Sequence, residues 1–348
     1  MDGNPEVLVT WPDYDTEDPE LGGALTAAGC RLRLEPKLGA RDAAQVRAIA
    51  EEAAGAIVSI DPFDADVLES CTQLRVIARV GVGVDSIDLA AASRLGVVVT
   101  ITPGANESAV ADHTVALMLA AVRRISEHDR AIRSGEWNRT GSHTPWELAG
   151  ATVGLVGYGN IGRLVGARLC GFGVRLLFSD PVEQEAAGAE RVSLDDLLRE
   201  SDVVSIHAPL LPSTRQLLGR RELALMRDDA VLVNTARGGV VDEQALIEAL
   251  EAGRLRAAAL DVFDHEPPRS SRLLALQNVV LSPHVGGISD RSIHEMTRRA
   301  TSSVIDVLEG RIPSDIANPD VLSHERLAGA AISAPEALSE ATETSGLA

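Results

Sequence analysis

The chain has 348 residues and a formal net charge of −19, and a chain of this length predicts two domains rather than one hydrophobic core. The charge argues against a nucleic-acid partner, because a phosphate backbone would be repelled, and no apolar stretch is long enough to predict a membrane span. Three scattered cysteines without metal-ligand spacing predict a cytoplasmic protein with no metal site.

The first hundred residues alternate short apolar runs with helical patterns. Strands are predicted at 6–11, 30–35, 56–60, 74–80 and 97–101, and a helix at 42–54. After Pro103 and Gly104 a long helix is predicted over 107–124, with Asn106 as its expected N-cap. Strands that alternate with helices in this way form parallel sheets covered by helices on both faces.

The second half keeps this rhythm after a polar, turn-rich segment at 133–150. Strands are predicted at 152–156, 174–178, 202–208, 230–236, 257–263 and 278–282. The segment 242–253 predicts a helix, because it begins with acids and ends at a glycine. Another helix follows Ser289, and the Ala/Ser/Glu-rich residues 323–348 are predicted to be disordered.

The segment 152–180 contains the most specific motif of the chain. A predicted strand leads to Gly157, Gly159 and Gly162 in the spacing G-x-G-x-x-G, followed by a helical pattern and a second strand. Such glycines permit a tight turn, close backbone approach to a pyrophosphate, and close packing of the helix on the strand. Asp180, 23 positions after Gly157, is placed to accept hydrogen bonds from an adenosine ribose. Because its charge would repel the extra phosphate of NADP, the motif predicts an NAD site.

This βαβ unit in mid-chain predicts an α/β fold with two Rossmann-like domains, each containing a doubly wound parallel sheet. The nucleotide-binding domain is expected at 105–289. Residues 290–322 have no obvious sheet of their own, so we expect them to return to the first domain, formed by 1–104. That domain would then be discontinuous.

Three polar side chains lie at or beyond the carboxyl ends of predicted strands, where open α/β sheets bind ligands. Arg237 can grip a carboxylate with two parallel hydrogen bonds, although a surface ion pair or a helix cap would fit it equally well. His284 suits proton transfer to or from a carbonyl group. Glu266 is its natural carboxylate partner, unless it is simply a loop acid before prolines. His265 is a weaker rival for His284, because adjacent residues usually point apart.

Seven blocks of sequence strengthen this interpretation. They are RVGVGVDSID (79–88), ANESAVADHTVALML (105–119), VGYGNIG (156–162), HAPLLPST (207–214), NTARGGVVDEQAL (234–246), ALDVFDHEP (259–267) and LSPHVGG (281–287). In these blocks the chain resembles the D-isomer-specific 2-hydroxyacid dehydrogenases, in particular the phosphoglycerate dehydrogenase-like branch. The resemblance implies a homodimeric, NAD-dependent oxidoreductase that interconverts a small-molecule 2-oxo acid and a D-2-hydroxy acid.

The resemblance also implies roles for individual residues. Arg237 would bind the substrate carboxylate, and His284 would act as acid and base with support from Glu266. Cofactor contacts are implied at Gly157, Gly159, Asn160, Ile161, Gly162, Asp180, His207, Ala208, Pro209, Thr235, Ala236, Arg237, Asp261, His284 and Gly286. Among these, Asp261 would meet the nicotinamide amide. Substrate contacts are implied at Val82, Gly83, Asn106, Arg237 and His284.

Asp61 departs from the phosphoglycerate dehydrogenases, which carry a basic residue near this position to meet the substrate phosphate. An acid would repel a phosphate, so 3-phosphoglycerate is not the expected substrate, and the sequence does not choose among other 2-oxo acids. Two alternatives stay open: an NAD(H)-sensing protein like the corepressors of this fold, and a dehydrogenase of an unusual acid such as phosphite. Formate is disfavoured, because formate dehydrogenases carry Gln where Glu266 stands.

Overall fold

The computed structural model describes residues 4–332 apart from Leu38, Ala40, Asn138, Ser142, His143, Gln184 and Ala330. The described residues divide into two compact units. Unit 1 takes those of Met1–Ala105 and Asp290–Ala348, and unit 2 takes those of Asn106–Ser289. No described helix is both long enough and apolar enough to cross a membrane.

Unit 1 is built on a parallel sheet. Its described strands are β1 (Glu6–Val9), β2 (Arg31–Leu34), β3 (Gly55–Val58), β4 (Val76–Arg79) and β5 (Val98–Thr100), in the order β2-β1-β3-β4-β5. The helices that connect them are α1 (Gly22–Ala27), α2 (Ala43–Ala50), α3 (Ala65–Ser70) and α4 (Leu89–Leu95). Strands β1 and β3 are buried along their whole length, as expected for strands covered on both faces.

Unit 2 begins with α5 (Glu107–Val122) and α6 (Ile125–Arg133) and continues as a second parallel sheet. Its described strands are β6 (Thr152–Val156), β7 (Arg175–Ser179), β8 (Glu190–Arg191), β9 (Val203–Ile206), β10 (Val231–Asn234), β11 (Ala257–Leu260) and β12 (Val279–Leu281). The helices among them are α7 (Asn160–Leu169), α8 (Leu194–Glu200), α9 (Arg220–Leu225) and α10 (Glu243–Glu251). The order β12-β11-β10-β9-β6-β7-β8 reverses its winding between β6 and β9, and ligands bind at the carboxyl ends of strands beside such a switch point.

The chain returns to unit 1 through the long helix α11 (Asp290–Leu308). Met296, Ala300 and Val304 follow one another at four-residue spacing, which places them on one face of this helix. All three are buried in the same core cluster as Val76 of β4. This packing explains why the C-terminal segment joins the first sheet although it adds no strand to it.

The prediction of disorder is wrong for residues 323–329, 331 and 332, which have described structure. The structure continues through β13 (Arg311–Ile312), two turns of 3₁₀ helix and β14 (Ala331–Ile332), which pairs in parallel with β13. Val321 is fully buried, and the Arg326 guanidinium donates to the carbonyl oxygen of Leu74 at 3.3 Å. The polar composition of this segment does not reveal either contact. Residues 333–348 of the predicted tail lie outside the described residues.

The predicted α/β fold class, with two sheets of parallel strands and helices between them, is confirmed. Each predicted strand is present, but several end one to three residues early. In the run 257–263, for example, Ala257–Leu260 pairs in the sheet and Asp261 begins a loop. The last residues of these apolar runs therefore lie in loops just beyond the strands that pair in the sheet.

Candidate active site

Backbone crowding shapes the glycine turn between β6 and α7. Gly157 has a φ of +95°, and a Cβ there would lie 2.8 Å from the backbone carbonyl carbon of His207. A Cβ on Gly162 would lie 2.6 Å from the carbonyl oxygen of Gly157, so both positions require glycine. A Cβ on Gly159 would meet no described atom within 4 Å. Gly159 therefore lets a ligand approach the backbone closely, as a pyrophosphate requires.

Helix α7 begins directly after this turn. Its N-cap is Gly159, and the described structure shows no side-chain cap there. The first N–H groups of the helix and the positive end of its dipole therefore favour an anionic ligand. Asn160, in the first turn, donates to the Glu107 carboxylate at 2.9 Å, and Ile161 follows it. These features fit the pyrophosphate of a dinucleotide.

Asp180 follows the end of β7 beside the same turn. Its Oδ2 accepts the Tyr158 N–H at 2.8 Å, and its Oδ1 accepts the N–H groups of Val182 and Glu183 at 2.8 and 3.0 Å. Burial alone would raise the pKa of Asp180, but these three backbone bonds hold it below its ordinary value. The carboxylate is thus ionised and fixed in place, which fits the ribose of NAD and disfavours the phosphate of NADP.

The remaining predicted cofactor positions also lie just beyond the carboxyl ends of strands in unit 2. They are His207, Ala208 and Pro209 after β9, Thr235 and Ala236 after β10, Asp261 after β11, and Gly286 after β12. The Thr235 hydroxyl lies 2.7 Å from that of Thr114 on α5. The donor set along this edge of the sheet therefore fits NAD, although the contacts of each residue with it stay predictions.

His207 is a neutral histidine at this edge. Burial lowers its pKa to about 4 from the ordinary value of 6.5, and its Nε2 lies 3.0 Å from the Ser205 hydroxyl. Because the folded pKa is lowered, the unfolded chain binds the proton more tightly between these values. Any stability that this histidine contributes is therefore complete above about pH 6.5 and is lost as the pH falls towards 4.

We expect a His207→Gln variant to lose less stability in acid than the wild type, because glutamine can still reach Ser205 but does not titrate. Between pH 7.5 and pH 4.5 the difference in the loss of unfolding free energy should be on the order of 2 kcal/mol. Urea titrations of both proteins without cofactor measure it. Equal losses in the two proteins would contradict a lowered pKa at this position.

Arg237 begins the turn that follows β10. Its carbonyl oxygen accepts a bond from the buried Asn234 amide at 2.9 Å, and its Nη1 donates to the Ala236 carbonyl at 2.7 Å. A Cβ on the next residue, Gly238, would lie 2.0 Å from the backbone carbonyl carbon of Phe263. The backbone therefore packs closely directly after Arg237, and this fixes where the arginine leaves the sheet edge.

Glu266 and His284 form a hydrogen-bonded pair. Nδ1 of His284 lies 2.7 Å from Oε2 of Glu266, and the other carboxylate oxygen accepts the Phe263 N–H at 3.1 Å. The side chains are 37% and 34% exposed, so the pair can reach a ligand. Glu266 pairs with His284 and not with its sequence neighbour His265, which is exposed. Since Nδ1 faces the carboxylate, Nε2 is the nitrogen available for chemistry.

Asp261 is almost fully buried, with 1% of its surface exposed. Its carboxylate is surrounded by His113 Nε2 (3.4 Å), Ser282 Oγ (2.6 Å), Val285 N–H (3.0 Å) and Gly286 N–H (2.7 Å). Burial alone would raise the pKa of Asp261, but these hydrogen bonds hold it at about 2. Sequence reasoning missed His113 and Ser282, although both lie inside blocks that carry the family resemblance.

Three predicted substrate contacts, Val82, Gly83 and Asn106, do not follow strands of unit 2. Val82 and Gly83 follow β4 in unit 1, and Val82 is 37% exposed. Asn106 stands at the N-cap position of α5 in unit 2, but the described structure shows no capping bond from its side chain. Its amide nitrogen instead lies 2.6 Å from where a Cβ on Gly287 would stand. Asn106 is therefore the N-cap residue of α5, as predicted, but its side chain makes no described capping bond. The substrate contacts of all three residues stay predictions.

The argument from Asp61 against a phosphate is also wrong. Asp61 is buried in unit 1, where it forms an ion pair of 2.7 Å with Arg41 and accepts the Thr10 hydroxyl at 2.6 Å. The arginine lies 20 positions away in sequence, so inspection of the strand end alone does not find it. Because Arg41 compensates the charge, Asp61 presents no free acid to a substrate.

Comparison with known proteins finds relatives of two activities. Residues 115–286 match the family model of the D-isomer specific 2-hydroxyacid dehydrogenase, NAD binding domain. A glyoxylate reductase of Thermococcus litoralis is 41% identical over 275 residues, covering 76% of this chain and 82% of that protein. A D-3-phosphoglycerate dehydrogenase of Methanocaldococcus jannaschii is 40% identical over 267 residues, covering 75% of this chain and 51% of that protein.

Solved structures agree with these relatives. The crystal structure of a protein from Thermus thermophilus is similar to this chain, with a TM-score of 0.82 and 39% sequence identity. The match covers 90% of this chain and 99% of that protein's chain. Family model, relatives and fold thus agree with the NAD-type glycine turn. The chain belongs to the D-isomer specific 2-hydroxyacid dehydrogenases, and it is an NAD-dependent oxidoreductase.

Proposed function

We propose that His284, Glu266 and Arg237 carry the hydroxyacid dehydrogenase reaction in this chain. The observation behind the proposal is the 2.7 Å contact between the His284 ring and the Glu266 carboxylate. His284 follows β12 and Glu266 follows β11, while Arg237 follows β10, the strand that pairs with β11. When bound, NAD supplies hydride chemistry at the carbon that bears the hydroxyl or carbonyl group.

His284 moves the proton. In reduction, Nε2 gives a proton to the oxygen of the 2-oxo group, and in oxidation it takes the proton of the 2-hydroxyl group. Glu266 holds the ring through Nδ1–H and stabilises the imidazolium. Because the Phe263 N–H fixes the second oxygen of Glu266, the carboxylate itself is oriented by the backbone.

Arg237 binds the substrate. Its planar guanidinium offers parallel N–H donors to the carboxylate of the acid, and it stabilises negative charge that develops on the neighbouring carbonyl oxygen. A lysine would supply the charge without this fork. Arg237 therefore selects for an acid as substrate and orients its reacting carbon.

We assign a small, unphosphorylated 2-oxo acid, such as glyoxylate or hydroxypyruvate, as the substrate. The Thermococcus litoralis relative that supports this choice is named a glyoxylate reductase and is matched over 82% of its length. The test is NADH absorbance with glyoxylate, hydroxypyruvate, phosphohydroxypyruvate, pyruvate and a branched 2-oxo acid. A preference for phosphohydroxypyruvate would overturn the substrate assignment. NADH binding without turnover of any member would favour a sensor, or an unusual acid such as phosphite.

We also infer a homodimer in the cytoplasm. No residue of α6 is buried, and Ile125 and Ile132, seven positions apart on this helix, are 56% and 55% exposed. Trp137, just beyond the helix, is 76% exposed. An exposed apolar face of this kind fits a second copy of the chain. Light scattering of the intact protein measures its mass in solution and so tests whether it is a dimer. The three free cysteines fit a reducing compartment.

Cofactor preference should depend on Asp180. We expect Asp180→Asn to raise the ratio of kcat/KM with NADPH to kcat/KM with NADH by about tenfold, because it removes a charge that repels the 2′-phosphate. Asparagine keeps the Oδ1 acceptor for the N–H groups of Val182 and Glu183 but loses the acceptor for the Tyr158 N–H, so Kd for NADH is measured in parallel to report any disturbance of the turn. Asp195→Asn, on α8, is the matched control and should leave the ratio unchanged. An unchanged ratio in Asp180→Asn would contradict the assigned role.

A further inference from the structure

We propose that His113 is a positioning residue that acts through Ser282 and Asp261 to hold the turn carrying His284. The proposal rests on the proposed function, because it concerns the placement of the proton carrier. His113 lies on α5, Ser282 directly after β12, and Asp261 directly after β11. The network therefore joins a helix to two neighbouring strand ends of unit 2.

The turn after β12 is organised around Asp261. The N–H of His284 donates to the backbone carbonyl of Asp261 at 2.8 Å. The next two N–H groups, of Val285 and Gly286, donate to the two carboxylate oxygens of Asp261 at 3.0 and 2.7 Å. Three consecutive N–H groups thus end on one residue, so the path of the turn depends on where the Asp261 carboxylate stands.

His284 needs this support because of its backbone. Its φ is +53°, a left-handed conformation that is unfavourable for residues other than glycine and persists only where the surroundings impose it. The turn also packs closely, since a Cβ on Gly286 would lie 2.9 Å from Oδ2 of Asp261 and 3.4 Å from Cδ2 of His113. A shift of the Asp261 carboxylate would therefore move His284.

The number of protons on Ser282 and His113 determines which group donates in each hydrogen bond of the network. The Ser282 hydroxyl has one proton, and it donates this proton to Oδ1 of Asp261 at 2.6 Å. The 2.9 Å contact between Ser282 Oγ and Nε2 of His113 must then have the histidine as donor. His113 thus holds Ser282 in the rotamer that serves Asp261, and its own Nε2 lies 3.4 Å from the same carboxylate oxygen.

The number of hydrogen bonds that the Asp261 carboxylate can accept supports this positioning role of His113. An ionised carboxyl has about four acceptor positions, and two backbone N–H groups and the Ser282 hydroxyl occupy three of those of Asp261. The carboxylate is thus used chiefly to hold the protein. Removal of the His113 donor changes the network without removing a group that touches the substrate or the cofactor.

The test is a double-mutant cycle with His113→Leu, Ser282→Ala and the combined variant, all as the intact protein. We expect His113→Leu to lower kcat by about tenfold or more, since small displacements of a reacting group cost up to about 10²-fold in rate. KM for the 2-oxo acid and Kd for NADH should stay within about threefold. Ser282→Ala should have a similar effect, and the combined variant should lose little more than either alone.

Two further variants distinguish the loss of the His113 hydrogen-bond donor from a general effect of replacing a histidine by leucine. His113→Gln, which places an N–H donor near the position of Nε2, should recover most of kcat, whereas His128→Leu, the same type of change on α6, should leave it unaltered. Losses that multiply in the combined variant, or full kcat in His113→Leu, would overturn the proposal. His284→Asn is measured in parallel: an inactive His284→Asn beside a fully active His113→Leu rejects the positioning role alone. An active His284→Asn rejects the proposed function itself.

Discussion

Replacement of His284 by asparagine should lower kcat by about 10³-fold, because general acid–base catalysis contributes about 10²–10⁴-fold and no other group takes over the proton. Asparagine is the sharpest substitution here. It tolerates the left-handed φ of +53° better than other residues, and its side-chain amide can still donate to Glu266 from near the position of Nδ1. The variant therefore loses the proton carrier at Nε2 while the turn and its partner stay in place.

Kinetics and binding together check this expectation. NADH affinity, measured by fluorescence titration, should change by less than about threefold, since the glycine turn and Asp180 are untouched. His265→Asn is the matched control, because His265 precedes Glu266 in sequence but is exposed and does not pair with it. A His284→Asn enzyme with at least a tenth of the wild-type kcat, or a His265→Asn enzyme that loses activity instead, would show that the assignment is wrong.

Local sequence was sufficient to predict the glycine turn and the polar side chains at the strand ends. The spacing of Gly157, Gly159 and Gly162 predicts the turn because each glycine answers a backbone constraint within the same βαβ unit. The ends of apolar runs predict Arg237 and His284 because parallel strands present their carboxyl ends at one edge. The sequence already favoured His284 over His265, and the structure adds the contact between His284 and Glu266, which depends on the path of the chain after β12.

Contacts distant in sequence could not be predicted. His113 and Ser282 are 169 positions apart, and they meet because α5 packs against β11 and β12. Arg41 compensates Asp61 only once the chain after β2 has folded back on the end of β3. Isolated strand ends show which side chains are present at an edge but not which charges are already paired. That difference explains why the side chains at the strand ends could be predicted while the phosphate argument failed.

Replacement of Arg237 by alanine should lower kcat/KM for a 2-oxo acid by about 10³-fold. Two charge-assisted hydrogen bonds, each worth about 1.5–3 kcal/mol, give a loss of roughly 4 kcal/mol in transition-state binding, and each 1.36 kcal/mol is tenfold in rate. Arg237→Lys should recover only part of this activity, because an ammonium keeps the charge but not the paired geometry. Arg221→Ala, which breaks an exposed ion pair with Asp195 on the surface, is the matched control and should leave kcat/KM unchanged.

The specificity of Arg237→Ala separates substrate binding from a structural effect. If Arg237 grips the carboxylate, the wild-type enzyme should prefer glyoxylate to acetaldehyde, in which a methyl group replaces the carboxylate. Most of that preference should disappear in Arg237→Ala, because the variant loses activity on the acid far more than on the aldehyde. A general disturbance of the turn after β10 would lower both rates by the same factor and keep the preference. An unchanged ratio would therefore remove Arg237 from substrate recognition and leave it a structural residue of the turn.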